Sequence, residues 1–306
     1  MVQLSREQWK GHAALIVFSI SVAGSYSLGH IVANEIAPMA ITTVRFVLAA
    51  VVMGMFALMT GGMRRRNFEA PWRYLFLGAL FASYFVLMFE GLKTADAVSA
   101  VAVYTLMPAM AAGFGWLVLR QITTPRMALA LSVAALGALW VIFKGELGSL
   151  AGLDVGRGEM IYFVGCFAHA LYTPMVRRLN RGETAIVFTF GTLVAGAIVL
   201  ILVGWGELMA TDWAALPAVV WIAIAYLVVF STAVAFVTLQ YATLRLPSAK
   251  VMAYAYLTPS VVILWEAALG NGFPAPMVLL GVGLTIVALF ILLKDEEAPE
   301  TSAQDV

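Results

Sequence analysis

The sequence predicts an all-α integral membrane protein in which ten transmembrane helices form two inverted five-helix repeats. Three observations carry this. Of 306 residues, 62% are apolar and 11% charged, whereas a soluble domain carries about 25% charged residues. Apolar runs of the length that spans a bilayer, about 20 residues each, recur along the whole chain. A shift of 151 positions brings one half into register with the other. The runs are apolar all round, which excludes an outer-membrane barrel, whose strands alternate apolar and polar residues.

Each span is bounded by charge, proline or glycine. The first, 12–32, begins after Arg6 and Lys10 and has the charged and apolar regions of a signal peptide, but the spans behind it make it an uncleaved anchor. The second, 38–59, opens at Pro38 and stops before Arg64-Arg65-Arg66, and the third, 72–92, carries Arg73 at its start and Glu90 near its end and stops before Lys93. The fourth, 97–119, runs to Arg120, the fifth, 126–143, to Lys144, and the sixth, 158–177, to Arg177-Arg178. The seventh, 184–205, ends before Glu207, the eighth is 214–240, the ninth, 248–269, ends at Gly270-Asn271, and the tenth, 274–293, ends at Lys294. The residues left over cannot supply a folded domain outside the membrane, so function has to sit in the bundle.

Lys and Arg fix the orientation, because basic residues resist translocation. With a cytoplasmic N terminus, 14 of the 18 basic residues fall inside, Lys93, Lys144 and Arg157 fall outside, and Arg45 stays within the second span. Both termini are therefore expected in the cytoplasm of a cell with this protein in its inner membrane. Glu35, Asp96, Asp154, Glu207 and Asp212 collect on the outer side. A net charge of +1 leaves no footprint for nucleic acid. The single cysteine, Cys166, forms no intrachain disulfide and reads as a small buried apolar residue.

The 151-residue shift places Leu106-Met107-Pro108 on Leu257-Thr258-Pro259, Pro125 on Pro276, and Ala102 on Ala253. Five spans per half is an odd number, so the second half enters from the opposite side, and the expected substrate site lies at mid-membrane between the halves. The halves are read as residues 1–148 and 149–306, the second closing with an acidic cytoplasmic tail from about 294.

At these residues the chain resembles the drug/metabolite transporter superfamily, specifically its EamA-type ten-helix exporters. Ala23-Gly24-Ser25-Tyr26, then Pro38-Met39-Ala40 and Arg45-Phe46, is similar to the family's small-residue turn and its opening of helix 2. Pro108 and Pro259 match its prolines in helices 4 and 9, and Ala168-His169-Ala170-Leu171-Tyr172 with Arg177-Arg178 is like its helix 6. One departure stands out: a Leu-Gly-Glu triplet common after helices 4 and 9 is replaced by Val118-Leu119-Arg120 and Leu269-Gly270-Asn271, so both glutamates are missing. Within the family the chain resembles YddG-like exporters of aromatic and other amino acids.

Ionisable groups inside a membrane are costly and hence candidates for function. Arg45 stands open to three readings: snorkelling to the outer interface, pairing with Glu35 or Glu90, or holding a substrate carboxylate; as a family feature it is assigned to structure or gating. Glu90 and Glu266 end spans 3 and 9 and are read as gates, ammonium sites or plain interface charges. Tyr26 and His30 share a helix face, as do His169 and Tyr172, and each face is either a wall for a zwitterion or ordinary packing. The resemblance implies that helices 1, 3, 4, 6, 8 and 9 surround the cavity, which adds Ser83, Tyr84, Tyr104, Thr238, Gln240, Tyr241, Tyr254, Tyr256 and Trp265 as candidates beside a belt or core role. Lys250, one turn from Tyr254, is read as an inside-positive charge or a pore residue. Pro108 and Pro259 each remove a backbone hydrogen bond in symmetry-related helices, either for gating or as packing kinks. Small-residue ridges, Ala130, Ala134 and Ala138 in span 5 and Gly281 and Gly283 in span 10, suit close packing or a homodimer. The three histidines show no ligand spacing for a metal, and no phosphate-cradling loop or soluble catalytic set appears. The expectation is an exporter of amino acids and related small amphipathic metabolites, without cofactor or dedicated coupling ion. Efflux of cationic drugs in exchange for protons is the rival, and an integral-membrane enzyme or lipid flippase is the alternative from another class.

Overall fold

The computed structural model describes residues 6–146, 148, 155–243, 251 and 253–293. Among them every regular element is helical. Helix α1 is Arg6–Val32, α2 Pro38–Met59, α3 Trp72–Leu92, α4 Ala97–Tyr104, α5 Met107–Leu119 and α6 Pro125–Ile142. In the second half α7 is Arg157–Leu179, α8 Ala185–Val203, α9 the short Trp205–Ala210 and α10 Ala218–Val228. A π-helical segment, Val229–Val234, joins α10 to α11, Ala235–Thr243. A 3₁₀ turn, Tyr254–Leu257, leads into α12, Thr258–Ala268, and α13 is Pro276–Leu293. Among the described residues, eight spans are long and apolar enough to cross a membrane. The other two of the ten-helix fold are α7, which carries charge at both ends, and the interrupted ninth.

The fourth and ninth spans are broken in the same way. Tyr104 ends α4, and α5 restarts after Leu106 at φ −78°, ψ −19°, with Pro108 in its first turn; α12 restarts after Leu257 at φ −79°, ψ −24°, with Pro259 in its first turn. Proline is welcome in a first turn and disruptive in a helix interior, and each Leu-x-Pro lies where one helix ends and the next starts. The fifth and tenth spans match as well: α6 and α13 each open on proline and run 18 residues.

Two boundaries differ from the sequence reading. Span 1 is already helical at Arg6, the first described residue, well before position 12, and span 8 starts at Ala218 instead of 214. In the second case the Asp212 carboxylate accepts the amides of Ala214 and Ala215, and the Trp213 indole donates to Leu208 O, which holds a turn until Pro217 caps the helix. The domain boundary near 148, Lys250, Asp154 and the acidic tail lie outside the described residues.

Glycines set the closest crossings. A methyl on Gly78 would lie 2.5 Å from Gly196 N, which locks α3 to α8. A methyl on Gly137 would lie 2.5 Å from Gly281 O, and Ala130, Ala134 and Ala138 are fully buried beside this contact. Gly281 of span 10 therefore meets the span-5 ridge within one chain, whereas a methyl on Gly283 would meet nothing within 4 Å. Outward, Leu58, Met59, Trp116 and Phe290 are exposed, as helices facing lipid require.

Candidate functional site

A cavity of about 480 Å³ lies at the centre of the bundle, inside the size range of small-molecule pockets. Its walls come from α1 (Phe18, Val22, Ser25), α2 (Arg45, Phe46, Ala49), α3 (Phe81, Tyr84, Phe85), Tyr104 at the end of α4, α7 (His169, Tyr172, Thr173, Val176), α8 (Phe188, Thr189, Leu193), the π segment (Ser231, Thr232) and α11 (Ala235, Phe236, Leu239). Rings dominate. Phe81 stacks on Tyr172 at 4.9 Å and meets Phe85 edge-on at 4.9 Å, while His169 lies 4.3 Å from Tyr84.

The cavity reaches one end of the bundle and not the other. Asn180, Glu183 and Ala185 line its mouth, beside the arginine-rich starts of α3 and α8. At that mouth Arg73 and Glu183 form an ion pair at 2.8 Å, with side chains 1% and 3% exposed. Arg73 also donates to Leu179 O at 2.6 Å. Burial pushes the Glu183 carboxyl up, but hydrogen bonds from Arg73 and from the Arg181 amide outweigh it and hold the group below its usual range.

At the acidic end the walls close. The Tyr162 hydroxyl bonds those of Tyr26 at 2.8 Å and Tyr84 at 2.9 Å. One turn further out Ser99 Oγ donates to Glu159 Oε1 at 2.6 Å, while Glu159 is 6% exposed in the first turn of α7. A carboxylate there is favoured by the helix dipole. Gly91 and Gly158 permit this closure, since a methyl on either would strike the other's carbonyl oxygen.

Arg45 is 3% exposed. Nη2 donates to Ser231 Oγ at 3.4 Å, the guanidinium lies 3.8 Å over the Phe85 ring, and Nη1 has no hydrogen-bond partner among the described residues. Neither Glu35 nor Glu90 reaches it: Glu90 pairs with Lys93 at 2.7 Å, and Glu35 borders a separate surface hollow.

Of the sequence candidates, Arg45, Tyr84, Tyr104, His169 and Tyr172 line the cavity. Tyr26 sits behind it in the tyrosine cluster, and His30 bonds Leu92 O at 3.0 Å towards the acidic end, so one helix face serves two neighbours. Ser83 is exposed, because the turn from Tyr84 swings it to the outer face of α3. Thr238 returns its hydroxyl to Val234 O, Tyr241 is half-buried, and the side chain of Gln240 lies outside the described residues. Tyr254 bonds His12 Nδ1 at 2.9 Å, and Tyr256 is fully buried against α6 and α13. Trp265 packs on Tyr226. Glu266 accepts from Asn271 at 2.8 Å beside a hollow at the acidic end. Pro108 and Pro259 lie at the two helix breaks. The sequence reading missed Tyr162, Glu159, the Arg73–Glu183 pair and Ser231. A serine-threonine pair inside an apolar span was the one signal for the last.

A closed helical bundle with an aromatic central cavity reached from one end defines a multi-pass membrane transporter. The EamA-like transporter family profile matches residues 9–143 and 156–294, and the chain belongs to that family, within the drug/metabolite transporter superfamily. It is similar to the uncharacterised transporter YyaM of Bacillus subtilis (strain 168), 26% identical over 280 residues and covering 91% of each chain. A solved crystal structure at 19% identity superposes with a TM-score of 0.67 over 94% of this chain and 96% of that one, which shows the shared fold.

Proposed function

We propose that this transporter exports amino acids and related small amphipathic metabolites, aromatic ones included, by alternating access around the central cavity. The cavity carries the reading: rings suited to an apolar or aromatic side chain surround a few polar groups suited to a polar head. The positive-inside pattern assigns the arginine-rich end to the cytoplasm of an inner-membrane protein, so the described state, open at that end, is the loading state of an exporter. Export would break the tyrosine cluster and the Ser99–Glu159 bond at the acidic end and bring the Arg73–Glu183 end together. The cationic-drug alternative loses support because Glu90 and Glu266 lie outside the cavity and the ionised group at its centre is positive. Glu183, the carboxylate among the described lining residues, is tied to Arg73, which favours facilitated export without a proton relay. Counterflow of labelled amino acids into proteoliposomes tests the proposal. Uptake above empty vesicles, strongest for aromatic amino acids and unchanged by a pH gradient, is expected; no uptake of any amino acid overturns it.

A further inference from the structure

The cavity holds a charge that nothing around it answers. Arg45 is 97% buried by its 3% exposure, has an unused Nη1, and lies over Phe85 with Ser231 as its one hydrogen-bond partner among the described residues. The other ionised lining residue described, Glu183, is neutralised by Arg73 at 2.8 Å, and protonation of His169 would only add positive charge. The described lining therefore carries one net positive charge among rings, where electrostatic interactions are strong.

Ligand charge decides how well that excess is met. A monoanion cancels it. A zwitterion also presents its carboxylate, but it brings an ammonium for which the described lining offers no free carboxylate, and it leaves the net charge in place. We infer that Arg45 and Ser231 form a carboxylate receptor, and that the preferred ligands are aromatic monocarboxylates without an ammonium group, with amino acids as weaker ligands of the same site. The guanidinium fork suits a carboxylate, and the Phe81, Phe85 and Tyr172 rings lie beside it for the aryl part. The π segment explains Ser231: inserting a wider turn in an otherwise α-helical span turns this hydroxyl inward, and such segments are frequent at functional sites. The inference deepens the exporter proposal and rests on it for the size and apolar character of the ligand.

Three probes with a common phenylethyl core separate the charges: 3-phenylpropanoate, L-phenylalanine and 2-phenylethylamine. Binding is measured by titration calorimetry on the full chain in nanodiscs. Phenylpropanoate is expected to bind more tightly than phenylalanine and about tenfold or more tighter than phenylethylamine. Arg45→Met is expected to weaken phenylpropanoate by about tenfold or more, Arg45→Lys less because it keeps charge without the fork, and Ser231→Ala by about threefold. A merely structural arginine would lower the melting temperature of the ligand-free protein when replaced, whereas R45M is expected to melt at or above wild type. Tighter binding of phenylalanine or phenylethylamine than of phenylpropanoate, or phenylpropanoate binding by R45M within about twofold of wild type, overturns the inference. If R45M does not fold, unchanged binding by both R45K and S231A overturns it. Phenylalanine counterflow in the face of Arg45-independent binding would leave the exporter standing and remove the receptor. Arg45-dependent binding without any amino acid flux would do the reverse.

Discussion

Arg45 and Arg73 are both buried arginines on neighbouring helices, and their surroundings are opposite. Arg73 meets a carboxylate at 2.8 Å and a carbonyl at 2.6 Å; Arg45 meets one hydroxyl at 3.4 Å, an aromatic face and nothing at Nη1. The same division runs through the other polar groups, since Tyr26, Tyr84, Tyr162, Ser99 and Glu159 are mutually bonded around the cavity's closed end. The closed-end groups and the Arg73–Glu183 pair are bonded within the chain, Arg73 Nε aside, while the Arg45 charge meets no counter-charge among the described residues. Burying an unpaired charge is expensive; the carboxylate receptor proposed above would account for Arg45, whereas Arg73 is answered within the chain by Glu183.

Substitutions can break this contrast, and the largest effect falls on the satisfied pair. Arg73→Met leaves Glu183 buried and unanswered, a loss of about 3–5 kcal/mol, seen as a large drop in thermal unfolding temperature in detergent. The double variant R73M with Glu183→Leu should recover most of it, because both charges leave together. The pair also has a pH signature. The folded Glu183 carboxyl titrates below its usual range, so its stabilisation is complete above the ordinary carboxylate range and is lost as pH falls through the lowered folded value. Glu183→Gln should remove that acid step from a melting-temperature profile.

Next in size comes the tyrosine cluster. Tyr162→Phe strands two buried hydroxyls at a cost of about 1–3 kcal/mol, and it should raise labelling of a cysteine placed at Ser99 by an impermeant thiol reagent from the acidic side, in a Cys166→Ala background. Arg45→Met should sharpen the contrast by its small stability effect, within about 1 kcal/mol of wild type or above it, together with loss of transport in counterflow. Smallest is Tyr256→Phe. The Tyr256 hydroxyl is buried without a partner among the described residues, and its removal should leave flux intact and stability unchanged within about 0.5 kcal/mol.

The spans were legible because each is an apolar run stopped by charge or proline, and the break in spans 4 and 9 was legible because Leu106-x-Pro108 and Leu257-x-Pro259 recur at one offset. Neighbourhoods were harder. On a helix that is apolar all round, sequence does not say which face meets which partner: Ser83 and Tyr84 are adjacent, yet one faces outward and the other the cavity. Arg73 counted as one more topology charge, and Glu183 and Glu159 drew no reading at all, because partners 110 and 60 residues away cannot be paired from composition. Ser231 was hidden for another reason. An α-helical count misplaces every side chain that follows a π segment, and nothing in Val229–Val234 announces the wider turn.

The contact between Gly137 and Gly281 has a consequence for assembly. Translation delivers Pro125, the start of α6, 151 residues before Pro276, the start of α13, so the alanine face of α6 is inserted in the bilayer long before the helix that covers it exists. During that interval lipid, an insertase or a neighbouring nascent chain occupies the face, and arrival of α13 displaces it. A bulky residue at Gly281 would therefore act as an assembly defect, seen as a chain that inserts all its spans but remains open to protease until the end of synthesis and beyond.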